Sequence, residues 1–195
     1  MVAVELGLVP ASLVVLPAFI AQHSTTLIMK ESIFSLAEAF TMKTMDGHDV
    51  LKIDTDTLFL SSRKRVFDLD NNHLFTLHKE TFFIPKPFYA KSPAGAKLFE
   101  VEGKLHFDSF KAIDHFVNVE DHEQEHLEMQ GSFFDTKTHI TNKKNEQMVA
   151  KIDRQRWNAR QLIANHDTYV VTVAARVDIA LIVAMVIYLD ETRQR

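Results

Sequence analysis

The chain has 195 residues, 46% of them hydrophobic and 25% charged, with a formal net charge of −4. That is the size and make-up of one globular domain with a substantial core, and it excludes a disordered chain and a broadly basic nucleic-acid binder. The absence of cysteine excludes disulfides, thiolate-held zinc and thiol catalysis, and it fits an intracellular protein.

Taken in order, Val2–Ala21 is apolar but carries Glu5 where a signal peptide needs positive charge, and Pro10 and Pro17 interrupt any helix. Val14–Ile20 reads instead as a strand entering the core. A second strand is expected at Thr26–Lys30. Phe40–Met45 alternates apolar and polar residues into Asp46-Gly47, a hairpin signal, and Val50–Ile53 returns. Arg65–Asp68 and His73–Leu77 repeat the pattern around Asp70-Asn71-Asn72, as do Phe88–Ala90 and Lys97–Val101 around Ser92–Gly95. The turn centres Gly47, Asn71 and Gly95 lie 24 residues apart, which describes a meander of repeated hairpins. Further strands are expected at Leu105–Phe110, His115–Val119, Leu127–Gly131, Lys137–Thr141, Gln147–Ile152 and Thr168–Val173. Arg154–Asn165 is a short helix or an irregular crossing, and its Trp157 is read as a packing residue.

The chain closes on Ile179–Leu189, where no residue is charged and only the Tyr188 hydroxyl is polar. A surface helix shows a polar stripe, so this one is surrounded by protein. It is too short for a membrane span, which needs about 20 apolar residues. Asp178 and Arg193 sit at the ends that suit the helix dipole. Many strands and one wholly apolar helix have an economical solution. The expected fold is mainly β: one domain over residues 1–195, a closed antiparallel barrel of about twelve strands around a central hydrophobic C-terminal helix.

The segment Val171–Glu191, with Leu127–Asp135, Val149–Arg154 and Asp49–Ile53, resembles the LURP-one-related family of the tubby C-terminal-like superfamily. The resemblance runs from about Leu16 to Glu191. It departs from the family where Pro-Gly often precedes the Val-Asp pair; here Ala175-Arg176 does. It implies the same barrel and helix. Tubby proteins bind phosphoinositides at the inner face of the plasma membrane, and the related scramblases are associated with lipid movement. The implied function is a non-enzymatic binding or scaffold module for an anionic phospholipid surface or a protein partner, in the cytoplasm or peripheral to a membrane. A scramblase-type lipid handler is the alternative. No cofactor is implied.

Two basic clusters could meet such a surface. Arg63, Lys64 and Arg65 are consecutive. Between Lys143 and Arg160, six basic residues outnumber two acidic ones, and Lys143, Lys144, Arg154 and Arg156 are the candidates. A solvated outer face competes with this reading, because alternating strands need polar exteriors. His122-Glu-Gln-Glu-His126 matches the zinc-hydrolase pattern H-E-x-x-H, in which His122 and His126 would hold the metal and Glu123 act as base. That pattern needs a helix, whereas this acidic stretch reads as a solvated loop before a strand, so no metal or catalytic role is expected for it. Asp68–Asn72 begins like a calcium loop but has His73 and Lys79 where Gly and Glu belong.

Overall fold

The computed structural model describes residues 5–30, 40–56, 63–80, 87–105, 109–132, 136–155 and 168–193. Among them are twelve strands: β1 (Thr25–Lys30), β2 (Phe40–Thr44), β3 (Asp49–Asp56), β4 (Arg63–Phe67), β5 (His73–Lys79), β6 (Phe88–Lys91), β7 (Lys97–Leu105), β8 (Ser109–Val117), β9 (Gln124–Ser132), β10 (Lys137–Asn142), β11 (Met148–Gln155) and β12 (Thr168–Val173). Each pairs antiparallel with its sequence neighbours, and β1 pairs with β12, so the sheet closes into a barrel. Closure leaves no edge strand for another chain to pair with.

The bore is filled by α1 (Ile179–Arg193). Every residue from Ala180 to Leu189 is at most 2% exposed, as a helix with no polar face requires. Strand residues of alternate parity pack around it, among them Leu51, Ile53, Val66, Phe75, Leu77, Phe99 and Val101. Gly103 sits where the Tyr188 ring reaches β7. A Cβ there would lie 2.0 Å from the Tyr188 hydroxyl oxygen, so only glycine admits the ring. Gly103→Ala is expected to cost about 1–3 kcal/mol through overpacking, read as an earlier urea midpoint. An unchanged midpoint would show that the ring does not sit there.

The three turn centres read from the sequence all take left-handed backbone: Gly47 at φ 90°, Asn71 at 66° and Gly95 at 87°. Two expectations are corrected. Val14–Ile20 is a strap rather than a strand. Leu13 and Ile20 make single bridges to Val177 and Asp178, and Pro17–Phe19 forms one 3-10 turn. Pro17 has no N–H for a ladder, and the N–H groups of Val15 and Leu16 are taken by the Asp178 carboxylate. Strands expected at Leu105–Phe110 and His115–Val119 are bounded differently among the described residues, residues 106–108 lying outside them. Leu105 ends β7, and β8 runs unbroken with Phe110, Ala112, Asp114 and Phe116 buried. A buried aspartate at an inward position hid that alternation.

The strap plugs one end of the barrel. Asn118 Nδ2 donates to Ser12 O at 2.7 Å and Val119 N to Val14 O at 3.0 Å. Arg176 stands where the related pattern has glycine, and it adopts φ 69°, a conformation costing a non-glycine residue about 1–2 kcal/mol. Its guanidinium offsets that cost by donating to Pro10 O at 2.9 Å and Ser12 Oγ at 3.3 Å.

Candidate functional site

Strand alternation divides the first basic cluster. Arg63 and Arg65 face outward on β4, while Lys64, 2% exposed, points into the barrel. There it meets Glu191 at 3.1 Å, and Lys79 binds the other oxygen of the same carboxylate. These two ammonium groups lie at the C-terminal end of α1, where the helix dipole favours positive charge. Lys64 therefore belongs to the interior and is no part of an outer patch. Arg65 is outside but held by Asp54 at 2.5 Å.

The second cluster is neutralised as well. Lys143 binds Glu128 at 2.8 Å, and Lys111 binds the same oxygen at 2.7 Å. Burial alone would raise the Glu128 carboxyl, but the two lysines outweigh it and hold it below the ordinary glutamate range. Lys144 pairs with Glu123 and Glu125. Arg154 is half-buried on β11, and Arg156, like Trp157, lies outside the described residues.

The register brings together a different group on the outer face. His78 and Tyr89 are direct partners across β5 and β6, their rings stacked at 5.1 Å and 4°. Lys91 Nζ lies 5.3 Å from the Tyr89 ring centroid. Burial, then the positive charges of Arg63 and Lys91, push the His78 imidazole below its ordinary pKa, so it is neutral at pH 7. None of the ion pairs among the described residues involves Arg63 or Lys91. Two cations beside a stacked aromatic pair thus remain available to an outside anion. Sequence reasoning found Arg63 but missed His78, Tyr89 and Lys91, because only the register shows that they share a face.

The outward row continues from Tyr89 through Glu100, His115 and His126, which are direct partners across β6, β7, β8 and β9. A groove of about 320 Å³ lies along it, lined by Lys97, Glu100, His115, Val117, Gln124 and His126 among others. His122 is in the turn before β9 at φ 60°, and Glu125 is buried while His126 is on the outer face. The H-E-x-x-H residues therefore straddle a turn and a strand, and the two histidines share no helical face. The carboxylates of Asp121, Glu123 and Glu125 gather within 4.8 Å of one another, with Lys144 as the cation between two of them.

A closed antiparallel barrel threaded by an apolar helix is the architecture of the tubby-like class of domains, and this barrel is consistent with that superfamily. The sequence profile of the family described as LURP-one-related matches residues 25–190, and the chain belongs to that family. An X-ray structure of a protein from Arabidopsis thaliana is similar with a TM-score of 0.67 and 16% identity, covering 95% of this chain and 100% of that one. At that identity the likeness speaks to the fold alone. No curated protein matches the chain. Among the described residues no helix is long and apolar enough to cross a membrane.

Proposed function

We propose that this LURP-one-related barrel is a non-catalytic binding module whose outer β4–β6 face docks on anionic phospholipid. The observation that carries this reading is the pair of cations Arg63 and Lys91, in no ion pair among the described residues, flanking the stacked His78 and Tyr89 rings. Each basic side chain near an anionic membrane contributes about 1 kcal/mol. The aromatic pair offers an amphipathic body at the headgroup level. Lys143 and Lys144 support this less than their sequence promised, because Glu128, Glu123 and Glu125 already hold them. On this reading the protein works inside the cell, peripheral to a membrane.

Sedimentation with liposomes tests it. Phosphatidylserine vesicles should pull down more protein than neutral ones, and added salt should weaken the attraction, the Debye length being about 8 Å at physiological strength. Arg63→Glu with Lys91→Glu should abolish the difference while leaving the melting temperature nearly unchanged, since exposed charges contribute little to stability. Equal sedimentation of the unaltered chain with both vesicle types at low salt would sink the lipid reading and leave a protein partner as the better one.

A further inference from the structure

We propose that docking of the β4–β6 face is coupled to proton uptake: His78 gains a proton when lipid phosphate settles between Arg63 and Lys91, so an anionic membrane is held more tightly in acidic than in neutral surroundings. This names a regulation of the docking reading above and rests on it.

The first support is placement. Lys64 pairs with Leu77 across β4 and β5, and that register sets Arg63 opposite His78. Tyr89 stands opposite His78 on the other side, across β5 and β6. Arg63, His78 and Tyr89 thus follow one another in a single cross-strand row on the outer face. Lys91, two residues beyond Tyr89, leaves the sheet on that same face. Imidazole is the side chain whose ordinary pKa puts its charge change between about pH 5 and pH 8. Here it lies among the cations that would draw the anion in.

The second support is what surrounds the ring. From β4 come Arg63 and, one alternation further on, Arg65, which is held by Asp54. From β6 come Tyr89 and Lys91. On β5 itself Thr76 lies to one side, and Glu80, just past the strand, to the other. Beyond Tyr89 is Glu100 of β7, engaged by Lys97. The cations outweigh the acids: burial, then Arg63, then Lys91 hold the imidazole below its ordinary pKa. The Tyr89 ring does not oppose protonation. Its face, stacked at 5.1 Å, favours a cation above it.

A phosphate between Arg63 and Lys91 cancels their repulsion on the ring and adds its own attraction, so the pKa rises on docking. The headgroup layer is wet and charged, which adds anions around the ring rather than apolar burial. A proton then passes from solvent to the free ring nitrogen, giving imidazolium, and no bond of the lipid changes. Linkage is reciprocal, so a complex that takes up a proton as it forms is tighter at lower pH.

Sedimentation with vesicles of phosphatidylglycerol in phosphatidylcholine tests the coupling, because that phosphodiester stays ionised throughout. The unaltered chain should bind about fivefold more tightly at about pH 5.5 than at about pH 7.5, each unit of raised pKa being worth up to tenfold. His78→Gln should lose most of that gain while keeping its binding at neutral pH. His139→Gln, altered on the exposed face of β10, should keep the gain. His78→Lys, with a fixed charge, should bind at neutral pH as the unaltered chain does in acid. Heats of binding in two buffers of different ionisation enthalpy should show fewer protons taken up by His78→Gln. Circular dichroism melts establish that each variant is folded. Equal affinity of the unaltered chain at both pH values overturns the coupling and leaves the docking reading standing. So does a full gain in the folded His78→Gln chain. No binding to the anionic vesicles at either pH overturns docking and coupling together.

Discussion

Ala184→Asp is expected to leave no cooperatively folded protein. Ala184 is 1% exposed in the middle of α1, inside the closed sheet. An aspartate there has no cation on the neighbouring turns, since α1 is apolar from Ile179 to Leu189. An unpaired buried charge costs several kcal/mol, and protonating it still leaves a polar group in a site shaped for a methyl. Against a total stability of about 5–15 kcal/mol, that loss and the accompanying overpacking are enough to prevent folding. Circular dichroism melts would check it. A soluble variant with a sharp transition would mean that the helix does not occupy the bore.

Asp178→Ala should be the next most damaging change. Its Oδ2 accepts from Val15 N at 3.0 Å and Leu16 N at 2.6 Å, while Oδ1 accepts from Ala180 N at 2.8 Å and Leu181 N at 3.4 Å. One carboxylate thus caps the helix and pins the strap that plugs the barrel. Removing it orphans several buried donors at about 1–3 kcal/mol each, so a loss of several kcal/mol is expected in chemical denaturation. The same carboxylate is expensive to keep charged. Burial raises its pKa to about 6, against the pull of those four N–H groups. Asp114, fully buried on β8, is raised well above its ordinary value by burial and by the negative charge of Asp178, against the smaller opposing pull of the His115 backbone N–H.

The pH dependence follows in sign. Where the folded pKa exceeds the unfolded one, the native state holds more protons, and stability falls as pH rises. For Asp178 the contribution is complete below about pH 4, near the unfolded pKa, and is lost as pH climbs through about 6. The shift corresponds to about 3 kcal/mol. The melting temperature should therefore drop between pH 5 and pH 8. Asp114→Asn, which mimics the neutral acid beside Asp178, should flatten that drop and gain on the unaltered chain as the pH rises. A melting temperature independent of pH across this range would show that the two carboxyls are not buried together.

Much of the architecture was legible because it rests on local periodicity. The unbroken apolar run Ile179–Leu189 admitted one environment, and Asp46-Gly47, Asp70-Asn71 and Ala94-Gly95 announced backbone that only a few residue types tolerate. What stayed hidden depends on which strands meet in which register. Arg63, Lys64 and Arg65 look like one patch on a line, but a period of two sends the middle one inside to Glu191. Lys144 looks available until Glu123, 21 residues earlier, is placed beside it. His126 was compared with His122 because they are near in sequence, whereas its neighbour in space is His115. Asp114 broke an apolar pattern that in fact continued through it.

The bridge between strap and helix also governs how the chain is made. Val15 and Asp178, which hold the plug in place, are separated by 163 residues. A ribosome adding about 5–20 residues per second puts on the order of ten seconds or more between the emergence of one and the other. During that interval β1 lacks its partner β12, and the meander is an open sheet with an apolar face. Such a sheet exposes the kind of edge that recruits other chains, so the nascent protein depends on shielding until translation has passed α1. The most apolar segment follows all twelve strands, into a sheet that must still be open to receive it. Sealing the cylinder and sheltering its axle are therefore a single event that waits for α1.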